Sequence, residues 1–495
     1  MESNRKAAVI GSGIGGITTA IYLAKAGYKV DIYEKNLFPG GRCGQIVRDG
    51  FRFDTGATMM LMPDVYRDIF RSLGLVLEDE LEVVPMDDIY KICFGDGSEF
   101  CFTTDKERMR VQHESFEKGS YLKSVRYVEK GYELYDMGFR QLLGSNFPRL
   151  FDFINLRNAL MLLKLKIHIS HARYTRRFFR DRRLQMAYTF QNIYVGQSPY
   201  TAPALFSMIP AAELTEGSLF PKGGMFALTD KLLEVARREG VTLHTGREVT
   251  SVALNRRRTT GVSFADGTTA AADVVVANAD LPYVYRELLP PSLKMRKLNN
   301  MKYSCSAIIF HWALKKRYSE LSHHTIFLSD SFKEGLKAIF SRQDMGDDPS
   351  FYVHAPTRSD SSAAPEGCDA LSVIVGTGHV AASNRERWDE MVARARKAVI
   401  NRLKRAVMRD IEEQIAFEMT FTPVNWQESV NVTRGAVFGS LGHNILQMGY
   451  FRPHNRDREY GNLYFTGGST HPGNGVPMVL MSARLTAERI LKEQQ

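Results

Sequence analysis

Apolar residues fall along this chain in two regimes, short solid runs suited to buried strands and longer stretches recurring every three or four positions. Ala7 to Ile10 is uniformly apolar, as a parallel strand covered on both faces requires. Ile17 to Lys25 continues at helical periodicity, and Lys29 to Tyr33 predicts a second strand. From Leu81 to Phe102 polar and apolar positions alternate around Gly95-Asp96-Gly97, which predicts two strands and a turn. Between Thr104 and Thr201 the period changes, with Tyr, Phe, Met and Leu at helical spacing, so this stretch is expected to be mainly helical. After a helix over Met225 to Glu239, strand-like segments return at Val241 to His244 and Glu248 to Val252, followed by a hairpin about Asp266-Gly267. Asp273 to Ala277 is another nearly solid run, and it ends in polar Asn278 and Asp280. A further excursion over about 283 to 420 shows strands near Ala307 to Leu314 and Ala370 to Val375, a polar loop at Ser359 to Gly367 and a helix over Trp388 to Val407. The strand Leu463 to Thr466 and the helix Met478 to Leu491 complete the pattern.

Strands alternating with helices predict an α/β fold, and 495 residues exceed one usual core, so two or more intertwined domains are expected. The first strand enters Gly11-Ser12-Gly13-Ile14-Gly15-Gly16. Gly11 allows the tight turn, Gly13 a close approach of backbone to a diphosphate, and Gly16 the packing of helix on strand. Free amides at the helix N-terminus then bind the anion. The second strand ends at Glu34, about 20 residues on, where a carboxylate accepts both ribose hydroxyls. Strand, glycine turn, helix, second strand and acid arrive in order, so a dinucleotide site is expected.

Composition narrows the picture. A hydrophobic content of 44% is enough to bury these units. Five cysteines, Cys43, Cys93, Cys101, Cys305 and Cys368, contain no C-x-x-C pair, which argues against zinc and against a disulfide framework, and for a reducing compartment. No metal site is expected. MESNRK leads directly into the first strand, leaving no room for a signal peptide, and no run reaches the roughly 20 uncharged apolar residues of a spanning helix. A net charge of +10 is concentrated between Arg157 and Arg183, where basic residues interleave with Leu160, Met161, Leu162, Leu163, Leu165, Ile167 and Phe178-Phe179. Such a segment either lies in a lipid headgroup layer or turns its apolar side to the core beneath a solvated basic face. No nucleic-acid-binding module accompanies the charge.

Lys35 to Arg42 reads KNLFPGGR, followed by Asp54-Thr55-Gly56-Ala57-Thr58. These segments resemble the FAD-dependent amine oxidase and phytoene desaturase superfamily, in which they run along the flavin diphosphate and isoalloxazine. Arg42 offers the forked geometry that neutralises phosphate. YVGQSPYTAPALFSMIP (Tyr194 to Pro210), PKGGMFALTDKLLEVARREGV (Pro221 to Val241) and STHPGNGVPMVLMSA (Ser469 to Ala483) are similar to motifs of the bacterial-type carotenoid desaturases. The resemblance spans nearly the whole chain and lacks the flavin-attachment cysteine of monoamine oxidases.

The resemblance implies a Rossmann-like FAD-binding domain of glutathione-reductase type (1–80, 225–282 and 455–495). An interleaved substrate domain (81–103 and 283–454) and a mainly helical lid or membrane-associating region (104–224) would complete the fold. Non-covalent FAD is expected at Gly11, Gly13, Ile14, Gly15, Gly16, Glu34, Lys35, Gly41, Arg42, Gly56, Ala57, Thr58, Val249, Gly467, Gly468, Gly475, Val476, Pro477 and Met478. His471 is the candidate catalytic residue, as a base or as a positioning group. The implied reaction transfers hydride from an isoprenoid polyene such as phytoene to flavin with loss of a neighbouring proton. Quinone or dioxygen would be the acceptor, and the protein would sit in the cytoplasm at a membrane surface. Carotenoid isomerases and oxidases of the same family, and prenyl-chain carriers of the GDP-dissociation-inhibitor type, are the alternatives.

Overall fold

The computed structural model describes residues 5–147, 149–153, 158, 164–406 and 408–494. The fold is mixed α/β. At its centre a five-stranded parallel sheet is ordered Thr242–His244, Lys29–Tyr33, Lys6–Ile10, Val274–Ala277, Leu463–Phe465. Val9 pairs with Ile32 on one side and Val276 on the other, and Val276 pairs with Tyr464. Alternate residues serve two cores. Val9, Ile32 and Val276 pack under the helices Ile14–Lys25 and Phe226–Arg238. Ala8, Tyr33 and Val275 face the antiparallel sheet Val249–Asn255, Arg258–Phe264, Thr269–Ala271. The two strand-like segments around Thr245-Gly246-Arg247 therefore part company, one joining each sheet. The C-terminal helix, Val476–Glu493, packs against Ile14–Lys25, the first helix of the chain.

A second, seven-stranded sheet runs Ile415–Phe421, Ser306–Leu314, Asp369–Thr377, Phe351–His354, His324–Phe327, Asp88–Cys93, Glu99–Thr103. The last two strands are the pair expected around Gly95-Asp96-Gly97. Ile308, Phe310, Trp312 and Leu314 face the helix Trp388–Ala406, while Ile309 and Ile374 face a cavity between the sheets and the helical region. That helical region includes Ser120–Tyr135 and Met208–Glu216, which pack closely. A Cβ on Gly131 would lie 2.6 Å from that of Ala211.

Residues 154–157 and 159–163 of the basic amphipathic stretch lie outside the described residues. Over the described remainder Leu165 and Phe179 are buried, while Arg173, Arg176, Arg177 and Arg180 are exposed. There the apolar side joins the core beneath a solvated basic face. No helix among the described residues is long and apolar enough to cross a membrane. The loop Ser359–Gly367, expected to be merely polar, holds a buried carboxylate. Asp360 pairs with Arg52 and accepts from the Gly223 amide at 2.9 Å.

Asp54 joins distant parts of the chain. Its carboxylate accepts from the amides of Met225 (2.9 Å) and Phe226 (3.2 Å), at the start of the Phe226–Arg238 helix. Burial pushes its pKa from 3.8 to about 6, against the lowering effect of those two bonds, Arg52 and Gln45. The folded protein thus holds this proton to higher pH than the unfolded chain, and the stabilisation present below pH 3.8 is lost as pH rises through about 6. Asp54→Asn keeps the shape and does not titrate. Its melting temperature relative to wild type is expected to rise between pH 4 and about 6 in a calorimetric series; a difference constant with pH would contradict this.

Candidate cofactor cleft and apolar cavity

The glycine loops of the first and last segments meet because their strands are separated in the parallel sheet only by Val274–Ala277. Asn278, just past that middle strand, fills the space between them. A Cβ on Gly13 would lie 2.8 Å from Asn278 Nδ2, and one on Gly15 2.7 Å from its Oδ1. A Cβ on Gly467 would lie 3.2 Å from the same oxygen. Gly16 is inside the helix, where a Cβ would stand 2.3 Å from the Gly11 carbonyl oxygen. Sequence reading noted Asn278 only as a polar strand end; its role needs both glycine loops in place.

Glu34 is buried and oriented. Ser12 donates to its Oε2 from backbone N (2.9 Å) and Oγ (2.8 Å), and the Asn36 amide donates to Oε1 at 3.0 Å. Lys35 turns aside, donating to the Glu428 carbonyl (2.7 Å) and to Asn431 Oδ1 (2.9 Å). Arg42 donates from Nη1 to the Val437 carbonyl at 2.9 Å, and a Cβ on Gly468 would lie 3.2 Å from its Nη2. Burial lowers the Arg42 pKa while Asp280 opposes the shift. Asp280 accepts from the Thr433 amide (2.9 Å) and Ser440 Oγ (3.1 Å), leaving Oδ1 buried and unpaired.

These residues line one end of a cavity of about 630 Å³. Of the expected cofactor residues, Gly11, Gly13, Ile14, Gly15, Glu34, Lys35, Gly41, Arg42, Gly56, Ala57, Thr58, Val249, Gly467, Gly468, Gly475, Val476, Pro477 and Met478 all border it, and Gly16 lies just behind. Beyond them the wall turns apolar, with Leu61, Phe190, Ile193, Leu205, Ile309 and Ile326. The cavity reaches Ile445 and Phe451, which are exposed beside Leu446.

His471 stands apart. It is buried outside the cavity lining, with Nε2 3.0 Å from the Ser145 carbonyl oxygen. Its amide donates to the Pro453 carbonyl, and its own carbonyl accepts from Ser482 Oγ at 2.9 Å. Burial lowers its pKa to about 4. In this arrangement the side chain fixes the loop before Gly475.

Sequence reading missed two supports of that loop. Arg452, fully buried, donates from Nε to the Thr470 carbonyl at 2.8 Å, and burial lowers its pKa to about 9. The segment Val437-Phe438-Gly439 receives Arg42 from the N-terminal half and Asn474 from the C-terminal one. Gly435 and Gly439, both at positive φ, were the available sequence signal. A buried group of three histidines also went unnoticed. Ring nitrogens of His323, His324 and His354 lie within 4.8 Å of one another, and His323 Nε2 is 3.1 Å from His354 Nε2. Burial lowers the pKa of all three rings; Arg358 adds to this at His323, and neighbouring histidines at His324 and His354.

FAD fits the polar end. The helices that begin after Gly13 and Gly475 carry no side-chain cap, so their N-termini are open to an anion and to an electron-rich ring edge. Glycine-walled backbone lets a flat ligand approach, and the unpaired Asp280 oxygen awaits a donor. Sheet, glycine loops and cleft together define a flavin-dependent oxidoreductase. The profile of the flavin-containing amine oxidoreductases matches residues 14–491, and the chain belongs to that family, among its carotenoid desaturases. It is 38% identical to the phytoene desaturase of Neurospora crassa, covering 99% of this chain and 85% of that one. It is also 38% identical to the zeta-carotene-forming phytoene desaturase of Myxococcus xanthus, over 98% and 94%. A solved variant of putrescine oxidase shares the fold, with a TM-score of 0.66 at 15% identity over 99% of both chains.

Gly16→Ala places its Cβ against the Gly11 carbonyl and must open the strand-to-helix junction. The purified variant is expected to lose flavin absorbance, whereas Gly335→Ala, in the helix Phe332–Lys337 with open space around it, keeps it. Retention of FAD by Gly16→Ala would refute this account of the cleft.

Proposed function

We propose that this protein desaturates a long isoprenoid polyene, phytoene or a close counterpart, in carotenoid biosynthesis. The observation that carries the reading is the continuity of one cavity from the glycine-lined cleft, past an apolar wall, to exposed apolar residues. The wall is mainly aliphatic and aromatic, and its tyrosines Tyr194 and Tyr352 are bonded to protein partners, as suits a hydrocarbon better than an amine. The desaturase relatives support the same substrate class.

In this reading Glu34 would hold the ribose hydroxyls, Arg42 and the Ile14–Lys25 N-terminus would hold the diphosphate, and the Val476–Glu493 N-terminus would offer its free amides to the flavin ring. FAD supplies the hydride acceptor. The apolar wall orients the polyene and excludes water, so an allylic cation loses a proton instead of adding solvent. Residues 1–80, 225–282 and 455–495 serve as the cofactor domain of glutathione-reductase type, 81–103 and 283–454 as the substrate domain, and 104–224 as lid. His471 acts on the site by fixing its loop. Quinone or dioxygen accepts the electrons.

The substrate enters from a bilayer at Ile445, Leu446 and Phe451, with Phe151 exposed nearby in the chain's helical region and with basic residues among 164–183 near anionic lipid at a cytoplasmic membrane face. Leu446→Asp with Phe451→Asp is expected to lower co-sedimentation with anionic liposomes by about tenfold. Unchanged sedimentation would sink the proposed entry. The reaction itself is tested by anaerobic incubation with liposomes carrying phytoene or its shorter triterpene counterpart. Flavin bleaching with appearance of a longer conjugated chromophore is expected with one of them; no bleaching with either would end the desaturase reading.

A further inference from the structure

Behind the apolar stretch of the cavity lies a buried carboxyl group that holds no part of the cofactor. Glu213, on the Met208–Glu216 helix, is 1% exposed. Its Oε2 accepts from Tyr90 OH at 2.6 Å and its Oε1 from Tyr194 OH. Gln191 Nε2 donates to Tyr90 OH at 2.8 Å and closes the cluster from behind. Tyr194 borders the cavity between Ile193 and Val195, and its hydroxyl is bonded to the carboxyl group behind that wall.

A buried carboxylate held only by neutral donors is costly, and each of its two oxygens accepts from one tyrosine hydroxyl. A carboxyl group kept buried at that cost, beside the cavity, is able to take up a proton. We propose that Tyr194 and Glu213 form the proton-accepting pair that completes the new double bond. The inference rests on the desaturase reading above. Once hydride has left the substrate for FAD, the C–H bond on the neighbouring carbon breaks and its electron pair becomes the second bond of the new alkene. The proton passes to Tyr194 Oη as the tyrosine's own proton passes to Glu213 Oε1. Glu213 ends protonated and Tyr194 unchanged.

The surroundings suit this role. Burial raises Glu213 from 4.5 to about 7, against the lowering effect of the bonds from Tyr194, Tyr90 and Gln191. A base poised there is partly ionised at neutral pH and still able to hold a proton. The groups facing it are Tyr90 on the Asp88–Cys93 strand, Gln191 and Tyr194 on the Phe190–Val195 turn, and Tyr127 on the Ser120–Tyr135 helix. Tyr127 OH lies 2.6 Å from His171 Nε2, and Glu216, a turn along Glu213's own helix, is engaged by Tyr132. Burial and the carboxylate hold Tyr90 and Tyr194 well above the usual tyrosine range, so neither is left ionised after the relay and the proton comes to rest on Glu213.

Glu213→Gln holoenzyme is expected to bind FAD and form product about 100-fold more slowly in a single anaerobic turnover at pH 8. Wild-type rates should fall as pH drops through about 7, and this limb should vanish in Glu213→Gln. Glu213→Asp should restore part of the rate and the limb, and Tyr194→Phe should slow the step with FAD still bound. Infrared titration of the purified holoprotein, without substrate, should show a carboxyl band changing near pH 7 that is missing in Glu213→Gln. If Glu213→Gln does not fold, Tyr194→Phe, Glu213→Asp and the wild-type titration decide. Wild-type rate and acid limb in the variants, or no carboxyl titrating near pH 7, would overturn the pair while leaving the desaturase reading intact. A wild type that bleaches with no polyene overturns that reading and this role with it.

Discussion

Asn278 and the glycines around it set the terms for the rest of the molecule. The side chain occupies the space between the first and last glycine loops, which meet only because Leu463–Phe465 pairs beside Val274–Ala277. Any Cβ at Gly13 or Gly15 would collide with it. Two uncapped helix N-termini are thereby brought to one cleft, more than four hundred residues apart in the chain. Backbone amides and dipoles then do the work that charged side chains would do at larger cost. Arg42 adds one guanidinium, held by a carbonyl from a third segment.

The same economy governs the apolar end. The seven-stranded sheet gives alternate residues to the Trp388–Ala406 helix and to the cavity, so a single strand such as Ser306–Leu314 builds both a core and a cavity wall. Polar side chains in that region are tied to one another instead of to solvent. Tyr352 joins Thr58, at 2.9 Å, to His324, at 2.7 Å, and the tyrosines around Glu213 close on its carboxylate. The result is a wall whose titratable groups are buried and bonded to one another, as the proposed reaction of a hydrocarbon requires.

Local patterning carried much of this into the sequence. The solid runs at Ala7–Ile10 and Val274–Val276, the glycine turn and the acid at Glu34 each satisfy a constraint written within a few residues, and all took their expected places. What stayed hidden depends on pairing over long separations. Val437 serves Arg42 from 395 positions away, and Glu213 meets Tyr90 from 123. His471 looked like a site residue because it lies in the loop that shapes the cleft, yet its ring turns to Ser145. The basic stretch was ambiguous for a related reason: amphipathicity records that one side is buried, and only packing says against what.

In the proposed reaction, hydride leaves a saturated carbon of the polyene for the flavin within one continuous cavity. Its most direct test is an anaerobic single turnover with phytoene deuterated at its saturated carbons. Flavin bleaching slowed by deuterium and in step with chromophore formation is the predicted result. Coloured product without bleaching, or bleaching indifferent to deuterium when chemistry limits the turnover, would contradict it.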